Sequence, residues 1–249
     1  MSAFRFDASW AVWGAATQTE PFDDRSDLCL PVGPALDDVL HARDVLVGLN
    51  QSSVARDSAG RPVSPAGASV PWANFHTSAF HNDHFLAEAF RGTEVWGAYM
   101  TDLHEQRESD IRKVHEHNID AEISSLISQM HLLGATGEAA PRIICFGVKS
   151  YRRITAWAGT ISRGIAASGP LTILQVPHWS RANASVHRGQ ISVYRGLVHA
   201  ALRGEVRPAT PPAPRRRVRP ATSAAPPVPA VCPSCFMTLP ATGSCDACA

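Results

Sequence analysis

Short runs of consecutive apolar residues alternate along this chain with longer stretches whose apolar residues recur every three or four positions. Residues 9–13 and 95–100, apolar and aromatic, read as strands. Asp44-Val-Leu-Val-Gly48, Arg142-Ile-Ile-Cys-Phe146 and Leu171-Thr-Ile-Leu-Gln-Val176 are nearly continuous apolar runs that fit buried strands. Between them lie helical patterns. Residues 80–90 have helical composition. Ile119, Ile123, Leu126, Ile127, Met130 and Leu133 share one helix face, with Asn118 as cap and Gly134 as stop. A further helix follows Gly147 through Tyr151, Ile154 and Trp157, and a last one covers about 182–202. Buried strands alternating with amphipathic helices predict an α/β fold, a three-layer αβα sandwich around a mainly parallel sheet. Ligands of such sheets bind beyond the carboxyl ends of the strands.

Composition divides the chain. Over its 249 residues the formal charge is only +1, but from Glu205 onward five Arg face Glu205 and Asp246, giving +3 and leaving −2 for the rest. Eight of the 19 Pro fall within residues 205–231, among Ala, Thr and Arg. Such a composition cannot bury enough apolar surface to offset chain entropy and reads as a disordered linker. The expected organisation is an α/β domain over 1–204, a Pro/Arg-rich linker over 205–230 and a small cysteine module over 231–249. No apolar run approaches the ~20 residues of a membrane span, and the start lacks a signal-peptide pattern, so the expectation is a cytoplasmic protein without membrane contact.

Polar clusters follow several strands. Gly48-Leu-Asn50-Gln-Ser52-Ser ends the first buried strand, Thr101-Asp102 the next, and Pro177-His178-Trp-Ser180-Arg181-Ala-Asn183 follows the last. Pro71-Trp-Ala-Asn74-Phe75-His76 lies in a long connection. Each alone reads as turn capping. Together they bring an amide, a carboxylate, an imidazole and a stackable ring to one predicted crevice.

In this order the motifs resemble the uracil-DNA glycosylase superfamily. Gly48-Leu-Asn50 is similar to its Gly-Ile-Asn first-strand motif, and His178-Trp-Ser180 to its His-Pro-Ser motif. With Asn74-Phe75-His76 and Gly97-Ala-Tyr-Met-Thr-Asp102, the resemblance over about residues 40–200 is to a poorly characterised bacterial group related to that superfamily. It implies a DNA base glycosylase that hydrolyses the N-glycosidic bond of a flipped deaminated, damaged or modified base, with catalysis needing no cofactor. Asn50 and His178 would be catalytic, the first holding the water and the second bonding to the leaving base. Phe75, Asn74 and Asp102 would bind the base, while Ser52, Ser180, Arg181 and Asn183 would touch phosphates. Two departures stand out. Gln-Ser-Ser follows Asn50 in place of the family's Pro, and Asp102 stands where related enzymes often have a base-reading Asn. An ionised carboxylate only accepts hydrogen bonds, so the N1–H and N2–H₂ edge of guanine would suit it better than uracil. The alternative is a non-catalytic nucleic-acid-binding protein that retains this fold.

The strongest local motif is C-terminal. Cys232-Pro-Ser-Cys235 and Cys245-Asp-Ala-Cys248 are two knuckles nine residues apart, whose four thiolates can close a tetrahedral Zn²⁺ site. A four-cysteine site has no open position, so its role would be structural. The segment resembles the short zinc-ribbon tails of actinobacterial proteins, which offers a surface for a protein partner. Arg215, Arg216 and Arg217 read as a sequence-blind tether to DNA, single-stranded or modified DNA included. His76, His81, Asp83 and His84 form a weaker metal pattern, and His104, His115 and His117, set among charges, read as solvated. Cys29 and Cys145 read as buried thiols.

Overall fold

The computed structural model describes residues 4–14, 30–31, 36–50, 71–72, 74–76, 82–104, 118–180 and 183–205. All of them lie in the first of two units of the chain, Met1–Ala209, the second being Thr210–Ala249. The linker and the cysteine module therefore lie outside the described residues, as does Cys29.

Five strands form one sheet in the order β1-β3-β2-β4-β5. They are β1 (Ala8–Trp10), β2 (His41–Asn50), β3 (Ala98–His104), β4 (Arg142–Phe146) and β5 (Ile173–Val176). The four strands β3, β2, β4 and β5 run parallel, and β1 pairs antiparallel with β3 at the edge. The predicted α/β class and mainly parallel sheet are thus present. Along β2 the side chains alternate between two cores. Leu46 packs with Met100, Ile144, Phe146 and Val176 beneath α1 (Asp83–Phe90) and α6 (Ile191–Leu202). Val45 and Val47 pack on the other side with Tyr99, Leu103, Ile143 and Cys145. That side is covered by α2 (Ile119–Leu132), α3 (Gly147–Ala156) and α4 (Ala158–Gly164). Helices on both faces explain why the strands read as continuous apolar runs.

Polar contacts fix the layers. Tyr99 donates to Gln129 of α2 at 2.8 Å, and Ser150 of α3 donates to the Val47 carbonyl at 2.8 Å. At the amino ends of β2 and β4, Arg142 donates to Asp44 at 2.6 Å and pairs with Glu94 at 2.7 Å. Cys145 is fully buried, as expected.

The helix expected through Tyr151, Ile154 and Trp157 is present as α3, and α4 follows it after Trp157. The last expected helix is broken. The pattern over 182–202 splits into α5 (Ala184–His187) and α6, because Arg188 and Gly189 both take left-handed backbone, φ 55° and 63°. Burial explains the disguise. His187 and Tyr194 are both fully buried with Phe85 between them, so the apolar spacing runs across the break.

Candidate active site

The chain leaves β2 toward β3 on one side and leaves β4 toward β5 on the other, so the carboxyl ends of β2 and β4 flank the topological switch point. By the two-residue period of a strand, Gly48 and Asn50 face the same side as Leu46, and Asp102 the same side as Met100. Register places Gly48 beside Asp102 and Asn50 beside His104.

Gly48 is what lets the Asp102 carboxyl in. A β-carbon on residue 48 would lie 2.0 Å from Asp102 Oδ1 and 3.5 Å from the Phe75 ring. On its other side, Asp102 Oδ2 accepts a hydrogen bond from the Asn74 amide at 2.9 Å. The same amide nitrogen donates to the Asp7 carbonyl at 2.8 Å. Both of its hydrogens are thereby used, and Asn74 offers a ligand only its oxygen. Burial pushes the Asp102 carboxyl up to about 7; the Asn74 bond opposes this, and the charge of Asp7 adds to it. Among the described residues, Oδ1 makes no hydrogen bond.

Residues 71–76 are stitched to the N-terminal segment. The Trp72 N–H donates to the Arg5 carbonyl, Ser9 to the Trp72 carbonyl, Asn74 to Asp7, and Trp13 Nε1 to the Phe75 carbonyl. His76 Nε2 meets the Trp10 carbonyl at 3.0 Å. Trp72 and Phe75 are left-handed, φ 62° and 67°, a strained state for bulky residues that these anchors hold. Phe75 is only 6% exposed and packs against Phe146 and Trp179, so it forms a wall of the crevice rather than an open platform.

His178 stands beyond β5. Its Nδ1 accepts the Ser180 backbone N–H at 3.1 Å, which leaves the proton of the neutral ring on Nε2. Burial, with His187 nearby, holds its pKa down to about 4. The ring therefore stays neutral at ordinary pH and presents a donor. It lies flat on Trp179, with ring centroids 4.2 Å apart. Trp179 is itself fixed by bonds to Asp83 and from Asn82. Gly147, at φ 79°, opens α3 against this ring: a β-carbon there would lie 3.3 Å from His178 Cβ.

Neither protein-family models nor curated protein sequences give a match to this chain.

Asn50, Asn74, Phe75, Asp102 and His178 thus all lie at the carboxyl edge, on β2, β3, the 71–76 segment and the turn after β5. Ser180 and Asn183 follow His178, and the Asn183 amide donates to Ser180 Oγ at 3.0 Å. Ser52, Arg181, Arg215, Arg216, Arg217, Cys232, Cys235, Cys245 and Cys248 lie outside the described residues. One expectation is corrected. His104 is not solvated but 2% exposed, with Nδ1 paired to Glu122 of α2. Its position at the end of a buried strand, within reach of a helix carboxylate, outweighs the charged sequence that follows it. The anchoring role of residues 5–13 left no mark in the sequence, because backbone carbonyls do most of the accepting. Among the described residues, no three His, Cys, Asp or Glu side chains cluster as a metal site. His76 and Asp83 are instead held by Trp10 and Trp179, and His81 lies outside the described residues.

Proposed function

We propose that this protein is a DNA base glycosylase, hydrolysing the N-glycosidic bond of a base extruded from DNA. The observation that carries this reading is the fixed neutral His178, whose Nε2–H is aimed by the Ser180 backbone and shielded from protonation by burial. A donor of that kind stabilises negative charge as it develops on a departing base without first having to lose a proton. Asn50, at the end of the central strand, would orient the attacking water, and Phe75, Asn74 and Asp102 would line the base. Ser52, Ser180, Arg181 and Asn183 would contact phosphates, with Arg215, Arg216 and Arg217 as a sequence-blind tether. An overall uracil-DNA glycosylase-like architecture belongs to the same proposal. What supports it is the parallel sheet, with the four motifs meeting at its carboxyl edge in the order that the resemblance requires.

For the cysteine module, the donor set supports structural zinc. Four thiolates in paired Cys-x₂-Cys knuckles match the softness and tetrahedral preference of Zn²⁺ and leave no position for substrate. Cys232, Cys235, Cys245 and Cys248 would hold the ion, and catalysis would not pass through it.

The test is a panel of oligonucleotides, single- and double-stranded, carrying uracil, hypoxanthine, damaged guanine or modified pyrimidines, scored for abasic sites. At least one base is expected to be released. His178→Ala should slow that release roughly 100- to 1,000-fold, the usual cost of losing one preorganised donor. Binding without any release, unaltered by Asn50→Ala or His178→Ala, would instead identify a non-catalytic nucleic-acid-binding protein.

A further inference from the structure

An amide orients water but does not take its proton, so Asn50 alone leaves the hydrolytic step without a base. On the side of the sheet that Asn50 faces, the Asp102 carboxyl lies over Gly48, two residues before it. Resting on the glycosylase reading, we propose that Asp102 is the general base of this site, taking a proton from the attacking water through Oδ1 while Asn74 holds Oδ2.

Three features carry this. The hydrogen bond from Asn74 fixes the carboxyl plane and engages Oδ2, leaving Oδ1 as the oxygen that makes no hydrogen bond among the described residues. That leaves one oxygen for proton transfer, whereas a two-pronged reading of guanine would have to share Oδ2 with Asn74. Second, Oδ1 sits against Gly48 on the strand that ends in Asn50, roughly 7 Å farther along. One water with two hydrogen bonds of ~2.9 Å spans at most about 6 Å, so the Asn50 side chain has to lean back toward Gly48 for its amide and Oδ1 to share that water. Third, the surroundings tune the group to neutrality. The charged neighbour is Asp7, just before the adjoining strand β1, and its charge disfavours ionisation, as burial does. Gly48, Phe75 and Asn74 carry no charge, and His104, two residues on, is engaged by Glu122. A base that titrates near the working pH combines a useful ionised fraction with real proton affinity.

In the step itself, the water oxygen bonds to C1′ as one water proton passes to Asp102 Oδ1. The C1′–N bond breaks, and its electron pair leaves on the base, which accepts the His178 hydrogen bond. The base anion then takes a proton from solvent, and Asp102 returns its own to solvent.

Single-turnover release from the best oligonucleotide, followed across pH 5–9, tests the assignment. The wild-type rate should fall on the acid side with a midpoint near 7. Asp102→Asn retains a carbonyl for Asn74 and should fold, yet lose that limb and slow roughly 100- to 10,000-fold. Asn74→Ala removes a bond that favours the ionised form, so its limb should move to higher pH. An Asp102→Asn protein that keeps both rate and acid limb would overturn the proposal and leave the glycosylase reading intact. So would one that keeps its rate and changes only which base is released. If the wild type releases no base at all, both readings fall together.

Discussion

Asp102 joins two properties that usually conflict: it is a charge-bearing group, and it sits where charge is disfavoured. Its folded-state pKa, about 7, lies above the ordinary 3.8. Between those values the folded chain keeps a proton that the unfolded chain gives up, so the stability this group supplies is complete below about 4 and is lost as pH rises to about 7. At ~1.4 kcal/mol per pH unit, the loss is on the order of a few kcal/mol. Asp102→Asn should therefore be more stable than wild type in urea at pH 8, with a much smaller gain at pH 5. Equal gains at the two pH values would contradict a half-buried carboxyl that titrates near 7. A stabilised but catalytically impaired variant is the expected signature of a site group whose environment opposes folding. The residues of this site were legible in sequence as types: an amide, a ring, a carboxylate and an imidazole after strands. Their couplings were not. That Asn74 spends its amide on Asp102 and Asp7, or that the Ser180 N–H sets the tautomer of His178, depends on distances no spacing encodes.

At the scale of elements, β2 does the positioning, and Gly48 is its critical residue. Alanine there would set a methyl 2.0 Å from Asp102 Oδ1 and 3.1 Å from its Cγ, while both strands are held in register on either side. The carboxyl must move or the strands must part. Gly48→Ala is expected to cost about 1–3 kcal/mol, in the range of other overpacked sites, and to abolish the acid limb assigned to Asp102. A melting temperature and pH profile like those of wild type would show that the space is not filled as described. Three of the strands, β2, β4 and β5, were visible as apolar runs because helices bury both their faces. The third expected strand began early: residues 95–97 precede β3, which runs on through Asp102 to His104. Its polar end hid the pairing with Asn50. The break between α5 and α6 was equally hidden, since apolar periodicity says nothing of the backbone sign at Arg188 and Gly189.

For the molecule as a whole, charge and cysteine are partitioned. Residues 205–249 carry a net +3 and the four paired cysteines, while the remainder carries −2. A truncation after residue 204 should keep the melting behaviour of the α/β unit, bind no zinc and lose salt-sensitive DNA affinity, whereas the full chain should bind about one zinc. Zinc well below one per full chain with its thiols intact, or unchanged DNA affinity after truncation, would refute the corresponding role. Among the described residues, no helix is long and apolar enough to cross a membrane.

The stitching of residues 71–76 to residues 5–13 has a consequence for how the site comes and goes. Its side-chain anchors join positions 62 to 67 residues apart, and all of them end on the one antiparallel edge strand or its flanks. Edge strands open at lower free energy than the centre of a sheet. When β1 peels away, Asn74 loses its hold on Asp7, the left-handed turn at Phe75 loses its braces, and the Asp102 carboxyl is released to water. The parallel strands β2, β4 and β5 need not separate for this to happen. Chemistry would then vanish through a local opening well before the molecule unfolds. The amides of residues 72 and 97, which bond to the N-terminal segment, would exchange their hydrogens together, ahead of those in β2.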